Sequence, residues 1–119
     1  MILSFAWTTD ALLAGRKTCT RRQWKEAHFQ RWVNAYRKGN LVHDAVDKVL
    51  FAGGKRIAKI RLTCEPYREA LRDMPESDVE AEGGLWAGKQ EFISLFGGDP
   101  DKIVAVVRFE LVEVLDVKS

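Results

Sequence analysis

The sequence predicts an α+β domain, built on a small, mainly antiparallel and curved β-sheet with flanking helices. Three observations carry this. Stretches with helical apolar spacing separate stretches rich in strand formers, KRIAKIRLTCE in the middle of the chain alternates apolar and polar residues, and the last apolar run, KIVAVVRFELVEVL, is long and rich in β-branched residues. Residues 1–119 are read as a single domain with one core. A hydrophobic share of 46% and a charged share of 30% fit a globule rather than a disordered chain.

Taken in order, Ile2 to Trp7 is an apolar run of strand length. TTDALLAG follows, where Thr8 or Thr9 caps a short helix and Gly15 ends it in the left-handed conformation. From Gln23 to Lys38, Trp24, His28, Trp32 and Tyr36 recur at helical spacing, with Lys25, Arg31 and Lys38 elsewhere around the cylinder, so this is an amphipathic helix that Gly39 stops. Leu41 to Phe51 and the turn at Gly53-Gly54 lead into a β-hairpin. Its second arm buries Ala58, Ile60, Leu62 and Cys64 and exposes Lys59, Arg61, Thr63 and Glu65. Pro66 suits the first turn of a helix through PYREALRDM, and SDVE from Ser77 has the spacing of a capping box before a brief helix broken at Gly83 and Gly84. WAGKQEFISLF is a further helix, closed by Gly97-Gly98. In the last run Val107, Phe109 and Leu111 share a face opposite Arg108 and Glu110, which would turn Glu113 inward. A bulge near Leu111 or Val112 restores the register.

Net charge is only +2, yet its sign is segregated along the chain. Between Arg16 and Lys38 eight cations accompany one anion, Glu26, whereas from Glu65 to Glu82 seven acids accompany Arg68 and Arg72. No apolar run approaches the length that spans a bilayer, and MILSFAW is too short for a signal-peptide core and lacks its basic flank. The expected location is therefore cytoplasmic, with Cys19 and Cys64 as reduced thiols rather than a bridge. AGGKR lacks the strand-to-helix context of a phosphate-binding loop, and there is no nucleophile elbow. His28 and His43 have no partners at ligand spacing, so neither a metal nor a cofactor is expected. His28 reads as a packing or hydrogen-bonding residue, and the aromatic stripe around it as core rather than a base-stacking platform.

What remains is AGRKTCTRR, from Ala14 to Arg22. A solvated lysine is a poor base because it stays protonated, but the neighbours Arg16, Arg21 and Arg22, together with partial burial, depress the pKa of Lys17. If the chain turns after Gly15, the Thr20 hydroxyl can meet that amine, and a carboxylate from the acidic segment around Glu82 can orient it. The same residues also fit an anion clamp without covalent chemistry, in which Lys17 and Arg22 hold a phosphate and Thr20 donates one hydrogen bond. A docking module with a bipolar charge is a further option.

The string resembles the signature of the ASCH family, a branch of the PUA-like superfamily of small β-barrel domains associated with RNA. That signature, G-x-K-x-x-T-x-R after a short first helix, reads here as Gly15, Lys17, Thr20 and Arg22. The first strand, the short helix, the long central hairpin and an aromatic in the last strand agree. The resemblance therefore spans nearly the whole chain, although its specific part is eight residues long, and it implies a PUA-like barrel over 1–119. The chain is most similar in this respect to the small bacterial N4-acetylcytidine amidohydrolases of that family. The likeness implies that Lys17 activates Thr20 for attack on an exocyclic amide carbonyl, without a metal, and that Glu82, or alternatively Glu80, positions the lysine. Arg22 would hold the nucleoside or stabilise developing negative charge. The long basic helix from Gln23 to Lys38 departs from the shorter link of those hydrolases. It suits the alternative, a non-catalytic module for single-stranded RNA in which Arg16, Arg21, Arg22, Lys25, Arg31 and Lys38 contact the nucleic acid. The expected partner is a nucleoside or RNA, with no membrane.

Overall fold

The computed structural model describes residues 1–48 and 53–115. Its elements are β1 (Ile2–Ser4), α1 (Thr9–Leu13), β2 (Cys19–Arg22), α2 (Glu26–Arg37), β3 (Val42–Val46), β4 (Arg56–Leu62), β5 (Tyr67–Ala70), α3 (Asp78–Ala81), α4 (Lys89–Ser94) and β6 (Ile103–Val114). The strands form one sheet in the order β1-β3-β4-β6-β2, with β5 also paired to β6. Among the described residues only β1–β3 is parallel; the other pairings are antiparallel.

The long last strand explains why the sheet curls. The residues of β6 from Phe109 onward pair with β4, whereas Ala105–Arg108 pair with β2 and Ile103–Val106 with β5. A single twisting strand thus serves three neighbours at different heights, which closes the sheet into a half-barrel. Opposite β6 the register shifts between Lys59 and Ile60, whose partners are Glu113 and Leu111, so Val112 is the bulged residue and Glu113 stays exposed.

The main core lies inside this curl, where Leu3, Phe5, Leu12, Trp32, Ile60, Leu62, Val107 and Phe109 pack together. The aromatic stripe of α2 belongs to it. Trp32 is fully buried and Trp24 stacks on it at 5.3 Å, while Trp32 Nε1 donates to His28 Nε2 at 3.3 Å. Smaller clusters under α3 and α4 gather Leu71, Ile93 and Val104, and Met74, Val79 and Phe92.

Several local expectations change. PYREALRDM is not a helix: Tyr67–Ala70 is a strand paired to β6, and only Leu71–Asp73 forms a single 3-10 turn. The open edge of β6 takes the segment, and Pro66, with its fixed φ and missing N–H, is as compatible with an extended entry as with a helical one. The expected capping box at Ser77 makes no side-chain cap bond, and Ser77 itself has helical dihedrals. In the first helix neither threonine caps by side chain; Thr9 Oγ1 donates to the Phe5 carbonyl at 2.8 Å instead. Both α2 and α4 start later than the apolar spacing suggests, at Glu26 and Lys89. Of the expected hairpin, β3 and β4 pair antiparallel; the part of Leu41 to Phe51 beyond residue 48 lies outside the described residues.

Part of the segregated charge is paired within the chain. Arg37 pairs with Glu65, Arg68 with Glu26, and Arg21 with Glu69 and Asp78.

Candidate functional site

The basic string folds into two distinct pieces. Residues 16–18 are irregular and pinned by backbone bonds: Lys17 N–H donates to the Ala11 carbonyl at 3.1 Å and Thr18 N–H to the Ala81 carbonyl at 2.8 Å. Cys19–Arg22 then enters the sheet as β2, where alternation puts Cys19 and Arg21 on one face and Thr20 and Arg22 on the other. The bond from Thr18 to Ala81 draws the C-terminal end of α3, and with it Glu82, onto the same corner. The following Gly83 lets the chain pass close to the start of α1. It sits at φ 131°, and a Cβ there would lie 3.0 Å from the Thr8 methyl group.

A cavity of about 360 Å³ opens at this corner. Lys17, Thr20, Arg21, Arg22 and Glu82 line one side; Phe5 and Trp7 come from the segment after β1, and Trp86, Phe92 and Phe96 from α4 and the residues that flank it. Lys17, Thr20 and Glu82 are each no more than 3% exposed.

Lys17 Nζ donates to the Glu82 carbonyl oxygen at 2.6 Å and to Glu82 Oε1 at 3.3 Å. The other carboxylate oxygen of Glu82 accepts from Arg21 Nη1 at 3.0 Å. Arg21 is anchored in turn by Glu69 and Asp78, both at 2.7 Å, and Asp78 receives a two-pronged contact from Arg108 at 3.1 and 2.6 Å. Arg22 is placed differently: Nε donates to Thr20 Oγ1 at 3.0 Å and Nη2 to the Ser4 carbonyl at 2.5 Å. Phe5 lies between the two cations, its ring centroid 5.9 Å from Lys17 Nζ and 5.4 Å from Arg22 Cζ.

Burial pushes the Lys17 amine below its ordinary 10.5, against the opposing attraction of the Glu82 carboxylate. Burial likewise lowers Arg22, whose hydrogen-bond partners are neutral. The Cys19 thiol moves the other way, to about 12, through burial first and Glu82 second. Cys19 is therefore an inert packing residue, and both cysteines are free thiols.

The structure brings Lys17, Thr20, Arg22 and Glu82 around one cavity, and of the two glutamates considered it is Glu82 that meets the lysine; Glu80 is exposed. No hydrogen bond joins Lys17 Nζ to Thr20 Oγ1 among the described residues, because Glu82 takes the amine and Arg22 the hydroxyl. Arg21, expected on the ligand, has a side chain with no exposure and a guanidinium surrounded by three carboxylates. It holds Glu82 in place. Arg16, Lys25, Arg31 and Lys38 are exposed and line no part of this cavity. Sequence reasoning missed Glu69, Asp78 and Arg108, whose partners lie 30 or more residues away, and also Trp7. The lone arginine in a strand rich in β-branched residues was the available signal for Arg108.

A second concavity, of about 550 Å³, runs between the end of α2 and β3 and includes His43. Both ring nitrogens of His43 are engaged there, by the Met1 amine and the Asn40 carbonyl, each at 2.9 Å. Among the described residues no group of three His, Cys, Asp or Glu is placed to hold a metal ion, and no helix is long and apolar enough to cross a membrane.

No protein-family model matches the chain, and no curated protein does. Among solved structures it is similar to protein EF3133 of Enterococcus faecalis V583, described under the family model DUF984, with a TM-score of 0.52 and 18% identity. The match covers 88% of this chain and 66% of that one. At this identity the likeness supports the fold alone.

Proposed function

We propose that this chain is an ASCH-like, PUA-like domain that hydrolyses the exocyclic amide of an N4-acylated cytidine-type nucleoside without a metal ion. The observation that carries the reading is the convergence of Lys17, Thr20, Arg22 and Glu82 on one nucleoside-sized cavity, with the lysine buried and its pKa lowered. A neutral lysine amine has two N–H donors and one lone pair. The two Glu82 oxygens take both donors, which leaves the lone pair free to accept a proton, so Glu82 orients the base.

In this scheme Thr20 Oγ1 attacks the acyl carbonyl as its proton passes to Lys17. Arg22 Nε, already 3.0 Å from Oγ1, stabilises negative charge on the attacking oxygen and on the tetrahedral oxyanion. Collapse breaks the C–N bond, and the Lys17 ammonium returns its proton to the departing exocyclic amine. Water, deprotonated by the same lysine, then attacks the Thr20 ester; the Lys17 ammonium protonates the departing Thr20 oxygen, and the acid leaves as carboxylate after losing its proton to solvent. The direct contact between Lys17 and Thr20 forms when substrate occupies the cavity, as catalytic hydrogen bonds commonly tighten in the complex.

The test is acetate release from N4-acetylcytidine by the purified protein. Turnover that persists in excess chelator and drops roughly a thousandfold in Lys17→Ala and in Thr20→Ala supports the assignment. Unchanged turnover in both variants refutes it. The alternative, binding of single-stranded RNA without hydrolysis, draws on exposed Arg16, Lys25, Arg31 and Lys38. It predicts no acetate release and an affinity that falls steeply with salt.

A further inference from the structure

Among the described residues five aromatic side chains line the cavity, and four of them have a ring partner. Phe5 packs on Phe109 at 5.6 Å, Trp86 meets Phe92 edge-on at 4.8 Å, and Phe92 meets Phe96 at 5.5 Å. Trp7 is the exception: it has neither a ring nor a cation partner among the described residues, and it is 77% exposed. The turn that carries it is closed by bonds on either side of it. Phe5 N–H donates to the Val46 carbonyl at 2.9 Å, and the Phe5 carbonyl accepts from Thr8 N–H at 3.1 Å and from Thr9 Oγ1 at 2.8 Å. This turn thus presents an exposed indole at the edge of a cavity that Lys17, Thr20, Arg22 and Glu82 line on one side. Isolated exposed apolar residues are common on any surface. An unpartnered indole on the rim of the cavity that also gathers a buried lysine, threonine and glutamate is a narrower circumstance.

We infer that Trp7 is the stacking face for a planar nucleobase, so that this site selects heteroaromatic N-acyl substrates and reads the ring before the amide reaches Thr20. The floor cannot supply that face, because Phe5 is already flanked by Lys17 and Arg22. Trp86 is half-buried, packed against the cluster of Met74, Val79 and Phe92, and so offers less open face than Trp7. The volume of about 360 Å³ suits one nucleoside and is too small for a duplex. Stacking on an indole is tolerant of base identity and needs no charge on the ligand, which matches a neutral nucleoside. The inference rests on the reading of the cavity as a nucleoside site. The planar base has two sources, a free nucleoside or a base unstacked from single-stranded RNA.

The experiment is a tryptophan-fluorescence titration of the full chain with cytidine, and in parallel with a short cytidine-containing single-stranded oligonucleotide. Of the four tryptophans, Trp24 and Trp32 are stacked on one another in the core, so quenching reports on Trp7 and Trp86. Saturable quenching by cytidine is expected in the wild type. Trp7→Ala is expected to remove most of that signal and weaken binding about tenfold or more, and Trp7→Phe to restore most of the affinity. With N4-acetylcytidine as substrate, Trp7→Ala raises KM while kcat changes little. Dependence on Trp7 with cytidine assigns the site to free nucleosides; the same dependence with the oligonucleotide alone assigns it to RNA, and both support stacking. Cytidine binding as tight in Trp7→Ala as in the wild type overturns the inference, as does a wild type that neither ligand quenches. If hydrolysis is absent but binding depends on Trp7, the hydrolytic reading fails and stacking stands. If hydrolysis proceeds with wild-type KM in Trp7→Ala, stacking fails and the hydrolytic reading stands.

Discussion

Lys17 combines two opposing influences. Burial favours the neutral amine, the Glu82 carboxylate favours the ammonium, and burial wins. A base of this kind acts in its deprotonated form, so kcat/KM for N4-acetylcytidine should rise with pH along a limb that ends below the ordinary lysine value of 10.5. Glu82→Gln removes the influence that raises the pKa and keeps an oxygen for orientation. The limb should therefore move to lower pH, and a pH–rate profile of the two proteins checks the sign. A limb that stays put or moves to higher pH would show that Glu82 does not act on the base. The local string could be read at this level because Lys17, Thr20 and Arg22 lie within six residues. What could not be read is that Arg21, adjacent to both Thr20 and Arg22, faces the opposite side of β2 and binds carboxylates instead of ligand. That follows from strand alternation, which only the location of β2 reveals.

Secondary-structure elements are held at this corner chiefly by Asp78 of α3, which bridges Arg21 of β2 and Arg108 of β6. Asp78→Ala would leave two guanidinium groups short of a partner in a largely buried position. It should cost about 3 kcal/mol in urea unfolding, the lower end of the range for breaking a buried pair, since Glu69 and Glu82 still compensate Arg21. Phe109→Ala, in the main core and 1% exposed, should cost about 3–5 kcal/mol by the same measurement. Strands β4 and β6 were legible because alternation and a required bulge are properties of the strand itself. β5 was not, because YREA carries no strand pattern and the pairing with β6 decides its conformation. The same limitation hid Asp78, whose partners are 57 and 30 residues away.

For the whole molecule, the segregated charge is partly neutralised inside the fold: Lys17, Arg21 and Arg37 of the basic segment pair with Glu82, Glu69, Asp78 and Glu65 of the acidic one. The arrangement also sets the response to acid. Burial alone would raise Asp78, but hydrogen bonds from Arg108 and Arg21 outweigh it and hold the carboxyl below its ordinary 3.8. The unfolded chain then binds more protons, so the contribution to stability is complete above about 3.8 and is lost as pH falls through the depressed folded value. Urea midpoints compared at about pH 6 and about pH 3 should show this loss in the wild type and a smaller one in Asp78→Ala. An equal loss in both would remove Asp78 from the account. The chemistry itself is tested most sharply by peptide mapping of protein acid-quenched during turnover of N4-acetylcytidine. An acetyl ester on Thr20 is the predicted result, and an acetyl group found on Lys17 instead would contradict the assignment of nucleophile and base.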